Sequence, residues 1–244
     1  MAKVDGQPGA VQAKNWRFES THWSVVRASS GSGPEAEAAL ESLCRTYWYP
    51  LYAHARRKGK GVEDAEDLVQ ELFLRFLDNN SFASTSPEAG KFRNFMLASL
   101  DRLIVSGWRR DHRLKRGGGT QIVSFEEGAG EVRYAAEAGG ATAAEGMFDR
   151  DWALAVLEEV MRKLRVRWSD KLPIFEELRV FLGGTDFDRG SIAIRLGMSE
   201  GALNTAIYRL RQQYRQLLKS EIAHTVARPQ DVEEEMRTLI AALA

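Results

Sequence analysis

Residues Val62–Leu77 read VEDAEDLVQELFLRFL, and the reading of this stretch decides the fold. Ala65, Leu68, Val69, Leu72, Phe73 and Phe76 recur at helical spacing, so one stripe of a helix faces a core. The opposite side carries Asp64, Asp67 and Glu71 in one ridge, with Gln70 beside them. Two readings of that ridge stand at this point. Carboxylates in the first turns suit the positive end of the helix dipole and solvate a surface. Alternatively, the ridge is presented to a partner.

Outward from this helix, composition sets the bounds. A chain of 244 residues has room for two small domains, each with its own core. The 34 Lys and Arg equal the 34 Asp and Glu in number, so net charge alone does not point to nucleic acid. Cys44 is the single cysteine and sits in a helical pattern with Leu40, Leu43 and Tyr47, which reads as a small buried hydrophobe. With no disulfide available, a reducing compartment is expected. No apolar run approaches the length of a membrane span, and MAKVDGQPGAVQAKN lacks a signal-peptide core, so the expectation is a cytoplasmic protein without membrane insertion. His22, His54, His112 and His224 are scattered, with no pair at metal-ligand spacing. No Gly-x-Ser-x-Gly elbow is present, and GGGT at 117–120 lacks the Gly-Lys-Ser/Thr of a phosphate loop. The expectation is therefore no enzyme, no metal and no cofactor.

Residues 1–19 read as a disordered lead-in. From Pro34 a long helix opens with Glu35 and Glu37 in its first turn. It runs through Leu40, Leu43, Tyr47, Leu51 and Ala55, and Pro50 should kink or divide it. After the loop DNNSFASTSPEAG, KFRNFMLASLDRLIVSGWRRDHRLKR resumes helical spacing through Phe92, Phe95, Met96, Leu100, Leu103 and Ile104. From Asp101 to Arg116 it holds six Lys or Arg against two Asp, with Trp108 among them. Cations and an aromatic on one helix suit nucleic acid, and equally a basic helix end serving its own dipole.

Residues 117–146 read as a flexible acidic linker, since from Glu126 to Asp151 seven acids face two arginines. A second domain is expected over 147–220. In DRGSIAIRLGMSEGALNTAIYRLRQQYRQLL, Ile192, Ala193, Leu196, Gly197, Met198 and Leu203 occupy the core and turn positions of a helix-turn-helix. The second helix of such a unit docks by its N-terminal part in the major groove. Here that part offers Ser199, Glu200, Asn204 and Thr205, followed by Arg209, Arg211 and Arg215. Residues 221–244 form a helical extension with an apolar stripe (Val232, Met236, Leu239, Ile240, Leu243) behind an acidic start.

Together, DAEDLVQELFLRFL, the helix opening Phe92-Arg93-Asn94-Phe95 and ending in arginines, and LGMSEGALNTAIYRLRQQYRQLL resemble bacterial RNA polymerase sigma factors of the sigma-70 family, extracytoplasmic-function (ECF) group. The resemblance spans roughly residues 20–220. It implies an all-α protein of two helical domains, 20–116 and 147–220, joined by the linker. It implies core RNA polymerase and promoter DNA as partners and leaves room for an anti-sigma factor or other regulator. Carried over position by position, Asp67, Gln70 and Glu71, with Asp64 beside them, would grip polymerase. Asn79, Asn80, Phe92, Arg93, Phe95, Trp108, Arg109, Arg110 and Arg113 would meet the minus-ten element, with Phe95 standing where the family commonly has Trp. Ser199, Glu200, Asn204, Thr205, Arg209 and Arg211 would meet the minus-thirty-five element. The competing reading is a helix-turn-helix transcription regulator that does not act as a polymerase subunit. For the extension two expectations stand: it docks on the helix-turn-helix around Arg209–Arg215, with Asp231–Glu235 against the arginines, and limits DNA binding until polymerase engages, or it only completes that domain's core.

Overall fold

The computed structural model describes residues 34–77, 91–106, 129–137, 144–184, 187–226 and 228–244. Among the described residues every regular element is a helix, so the protein is all-α. The elements are α1 (Pro34–Arg57), α2 (Val62–Leu77), α3 (Phe92–Val105), α4 (Ala129–Glu137), α5 (Ala144–Arg167), α6 (Leu172–Leu178), α7 (Arg189–Leu196), α8 (Glu200–Thr225) and α9 (Val232–Ala242). Short 3-10 turns lie at Ser169–Lys171, Arg179–Leu182 and Pro229–Asp231.

The physical centre is α1, one helix earlier than the stretch that decides the fold. From Tyr49 to Ala55 it is buried all round, because α2 and α3 cover one side and α4 and α5 the other. Pro50 lies inside this helix without dividing it. Packing from all directions compensates for the one backbone donor that proline removes. Gly59, at φ 81°, ends the helix, where the Gly59 amide donates to the Arg56 carbonyl and the Lys60 amide to Ala55. That left-handed cap costs glycine no Cβ clash. It turns the chain directly into α2, whose Ala65, Leu68, Val69, Leu72 and Phe73 are buried as their spacing predicts.

Among the described residues there are two apolar cores, and they share helices. The first is built from α1, α2, α3, the first half of α5 (Phe148, Trp152, Ala153, Val156), Ile222 of α8, and α9. The second holds Leu164 of α5, Phe175 and Leu178 of α6, Phe181, Ile192 and Ala193 of α7, and Leu203, Ile207 and Leu210 of α8. The boundary expected at residue 147 therefore falls inside a helix that serves both cores. Its apolar face turns from one core to the other along its length. Lys163 of α5 and Glu221 of α8, 2.6 Å apart, tie the two shared helices together.

Two further expectations are corrected. Within the segment read as a flexible linker, α4 is ordered and docked on α1. Tyr52 Oη donates to Glu131 at 2.6 Å, and Arg56 holds the same carboxylate through Nε (3.0 Å) and Nη2 (2.9 Å). Those hydrogen bonds, from Arg56 first and then Tyr52, hold the Glu131 carboxyl below its ordinary range. The extension does not lie on Arg209–Arg215. Instead α9 packs on the first core through Val232 and Leu239; Glu234 and Glu235 meet Lys91 and Arg93, and Glu233 pairs with Lys219 further along α8. The expected lead-in, residues 1–19, lies outside the described residues.

Candidate functional site

On α2 the apolar stripe turns inward, and Asp64, Asp67, Gln70 and Glu71 lie partly exposed on the other side, the Glu71 side chain only 14 % so. Asp67, Gln70 and Glu71 stand three and four residues apart, so one approaching surface could touch all three. Glu71 accepts from Arg75 Nε at 2.7 Å, one turn later.

At the start of α3 the structure departs from the sequence reading. Phe92 is fully buried, edge-on to Tyr47 with ring centroids 5.4 Å apart, and is a core residue. Arg93 is only 4 % exposed. It donates to Asp149 of α5 at 2.9 Å, pairs with Glu235 of α9, and lies 4.8 Å above the Trp152 ring. Burial would lower the guanidinium pKa, but the bond to Glu235 and the charges of Glu235 and Asp149 outweigh it and hold it above the usual value. In this arrangement neither side chain faces outward as expected, because two acids from distant segments have drawn the arginine inside. Phe95 is half-buried. Asn79, Asn80, Trp108, Arg109, Arg110 and Arg113 lie outside the described residues.

The third surface is built by α7 and α8. Asp188 caps α7, accepting from the amides of Gly190 (3.0 Å) and Ser191 (3.3 Å). Hydrogen bonds from the Ser191 hydroxyl and backbone keep its carboxyl below the ordinary range. Gly197, at φ 61°, closes α7 with a left-handed cap, and its amide and that of Met198 satisfy the last carbonyls. Ser199 then caps α8, its hydroxyl oxygen accepting from the Ala202 amide at 3.3 Å.

With Leu203, Ile207 and Leu210 turned inward, Glu200, Asn204, Thr205 and Arg209 are exposed together at the front of α8. Arg211 behaves differently. Its Nε and Nη2 both donate to the Phe181 carbonyl, at 3.2 and 2.9 Å, so it fastens α8 to the turn behind it.

Several residues of this surface escaped the sequence reading. Tyr208 is 63 % exposed, one turn after Asn204, and helical spacing alone could have named it. Arg189 of α7 reaches Asn204 Oδ1 at 3.3 Å. Beside Thr205 and Arg209 runs a groove of about 610 Å³, whose other wall includes Arg167, Trp168, Asp170 and Lys171, at and just after the end of α5. These two cations come from more than thirty residues upstream, and no local pattern pairs them with α8.

Residues 32–221 match the ECF sigma factor family. The chain belongs to the ECF sigma factor family. This is a family of transcription initiation factors rather than enzymes. No curated protein and no solved structure matches the chain. The family match in this ECF sigma factor ends within α8, so α9 lies beyond it. Among the described residues no helix is long and apolar enough to cross a membrane, and no cluster of His, Cys, Asp or Glu could hold a metal ion.

Proposed function

We propose that this ECF sigma factor binds core RNA polymerase through the acidic ridge of α2 and directs it to promoters through α3 and α8. The observation that carries this reading is the division of α2 into two faces. Its buried face is fully used by the first core, while Asp64, Asp67, Gln70 and Glu71 share the outer one. The ridge has the residue types and spacing that the family resemblance assigns to polymerase binding, on a helix held rigid from behind.

On this reading α8 enters the major groove at the upstream element. Asn204, Thr205 and Arg209 reach base edges, and Arg167 and Lys171 across the groove neutralise phosphates of the flanking backbone. The basic segment after α3, with Trp108, Arg109, Arg110 and Arg113, and the loop with Asn79 and Asn80 serve the minus-ten element, where melting exposes bases. The sigma factor performs no covalent chemistry.

The test is Asp67→Arg combined with Glu71→Arg. Both side chains lie off the buried stripe, and exchanging the Glu71–Arg75 attraction for a like-charge pair costs only about 0.4–1 kcal/mol of helix stability. Binding to core polymerase in a pull-down without DNA should be lost while thermal unfolding is nearly unchanged. Full retention of polymerase binding would favour the rival reading, an operator-binding regulator in which only the α7–α8 surface functions.

A further inference from the structure

The helix that lies beyond the family match occupies the start of α3. Val232 and Leu239 of α9 are buried in the first core, and Met236 packs against it. Of the acids at its head, Glu233 pairs with Lys219 of α8 at 2.8 Å, while Glu234 and Glu235 lead to two cations at the start of α3. Glu234 meets Lys91 at 3.1 Å; Glu235, fully buried, meets Lys91 at 3.1 Å and pairs with Arg93. Lys91 also donates to Thr238 Oγ1 at 3.2 Å. From α5, Asp149 takes the remaining edge of Arg93 at 2.9 Å. Two segments far apart in sequence therefore converge, as carboxylates, on the cations at the positive end of α3.

A buried ion pair is a poor source of net stability, because desolvating both charges offsets most of their attraction. Its particular property is that the same cations suit phosphates equally well, and a helix N-terminus favours either anion. We propose that α9 is a built-in competitor of promoter DNA at Lys91 and Arg93, a latch that holds the sigma factor closed until polymerase and DNA displace it. This rests on the reading that the α3 region serves the minus-ten element.

Geometry on that reading requires the closed form to open. The two promoter elements are about 25 base pairs apart, or about 85 Å of duplex at 3.4 Å per base pair. In the closed form α8 ties its reading end to the first core. Asn204 and Ile222 stand 18 residues apart on that helix, about 27 Å at 1.5 Å per residue. That length is about a third of the separation of the promoter elements, so the closed form is expected to engage one element at a time. Opening must withdraw α9 and the first half of α5 from α1–α3, and the contacts to break are those on Lys91 and Arg93.

The experiment uses the full chain with Cys44→Ala and spin labels on Asn94→Cys of α3 and Arg237→Cys of α9, both exposed positions. In the free protein one short inter-label distance is expected, replaced by a longer one in the complex with core polymerase and promoter DNA. A distance unchanged in that complex overturns the latch. In parallel, Glu234→Gln with Glu235→Gln should tighten binding of a promoter-strand oligonucleotide. Apparent affinity is reduced by the fraction of chains in the open form, and that factor is what the variant should regain. Equal or weaker binding by a variant with native circular dichroism also overturns it; if the variant does not fold, the label distances decide alone. A polymerase pull-down reads the underlying assignment separately. A chain that binds polymerase and keeps the short distance refutes the latch only, whereas one that binds no polymerase refutes the interface reading and the latch with it.

Discussion

Trp152→Ala is the substitution that most directly asks whether the first half of α5 belongs to the first core. The indole is fully buried among residues of α1–α3, and the Arg93 guanidinium lies 4.8 Å above its ring. A buried tryptophan removes about 200–250 Å² from water, worth about 5–6 kcal/mol at 25 cal/mol per Å² as an upper bound. Alanine keeps a small part of that, and measured truncations of this size cost about 3–5 kcal/mol. Loss of a desolvated cation–π contact adds about 1–2 kcal/mol. An expected loss of about 4–7 kcal/mol is a large fraction of the roughly 5–15 kcal/mol that stabilises an ordinary domain. Urea unfolding followed by circular dichroism reads the change, with Trp168→Ala as the comparison in the second core. If α5 were only a tether outside the first core, Trp152→Ala would cost less than about 1 kcal/mol, typical of a surface position. That result would refute the shared-helix architecture.

Two further outcomes follow from particular side chains. Burial, reinforced by the nearby charge of Glu41, pushes the Cys44 thiol up to about 12. At pH 8.5 it should resist alkylation until the protein unfolds. Because its folded pKa is raised from an ordinary 9.0, the stability it contributes is complete below about pH 9 and is lost as pH rises towards 12; rapid labelling of the native chain would contradict this placement. Arg167→Gln with Lys171→Gln, both exposed, should leave stability within about 0.5 kcal/mol and reduce the salt slope of promoter binding by about 2, with sequence preference unchanged. An unchanged slope would take the groove beside α8 out of the interface.

What the sequence made legible was local. The Val62–Leu77 stripe, the helix opening at Pro34, and the Gly197 turn between α7 and α8 all leave marks within a few residues, as spacing or as a residue that a backbone conformation demands. The family and its helical class followed from those marks in order along the chain. What escaped was long-range. Arg93 and Glu235 are 142 residues apart, and Arg93 sits in a helix start that reads equally well as a surface. The apolar residues of α5 form a continuous pattern that reads as one domain, although Phe148, Trp152 and Val156 face one core and Leu164 the other. Ordering of α4 depends on Tyr52 and Arg56, more than seventy residues upstream, so its acids read as linker charge. Arg211 shares the basic run of α8 with Arg209, and only the position of the Phe181 carbonyl separates their roles.

The central claim is that this ECF sigma factor confers promoter-directed initiation on core polymerase. Transcription reconstituted from purified core polymerase, a library of promoter fragments and the full chain tests it most directly. The account predicts transcripts that depend on the added chain and start downstream of a shared two-part motif, with none when Asp67→Arg and Glu71→Arg are combined. Tight binding of the chain alone to duplex DNA, with no transcripts from any fragment, would contradict it.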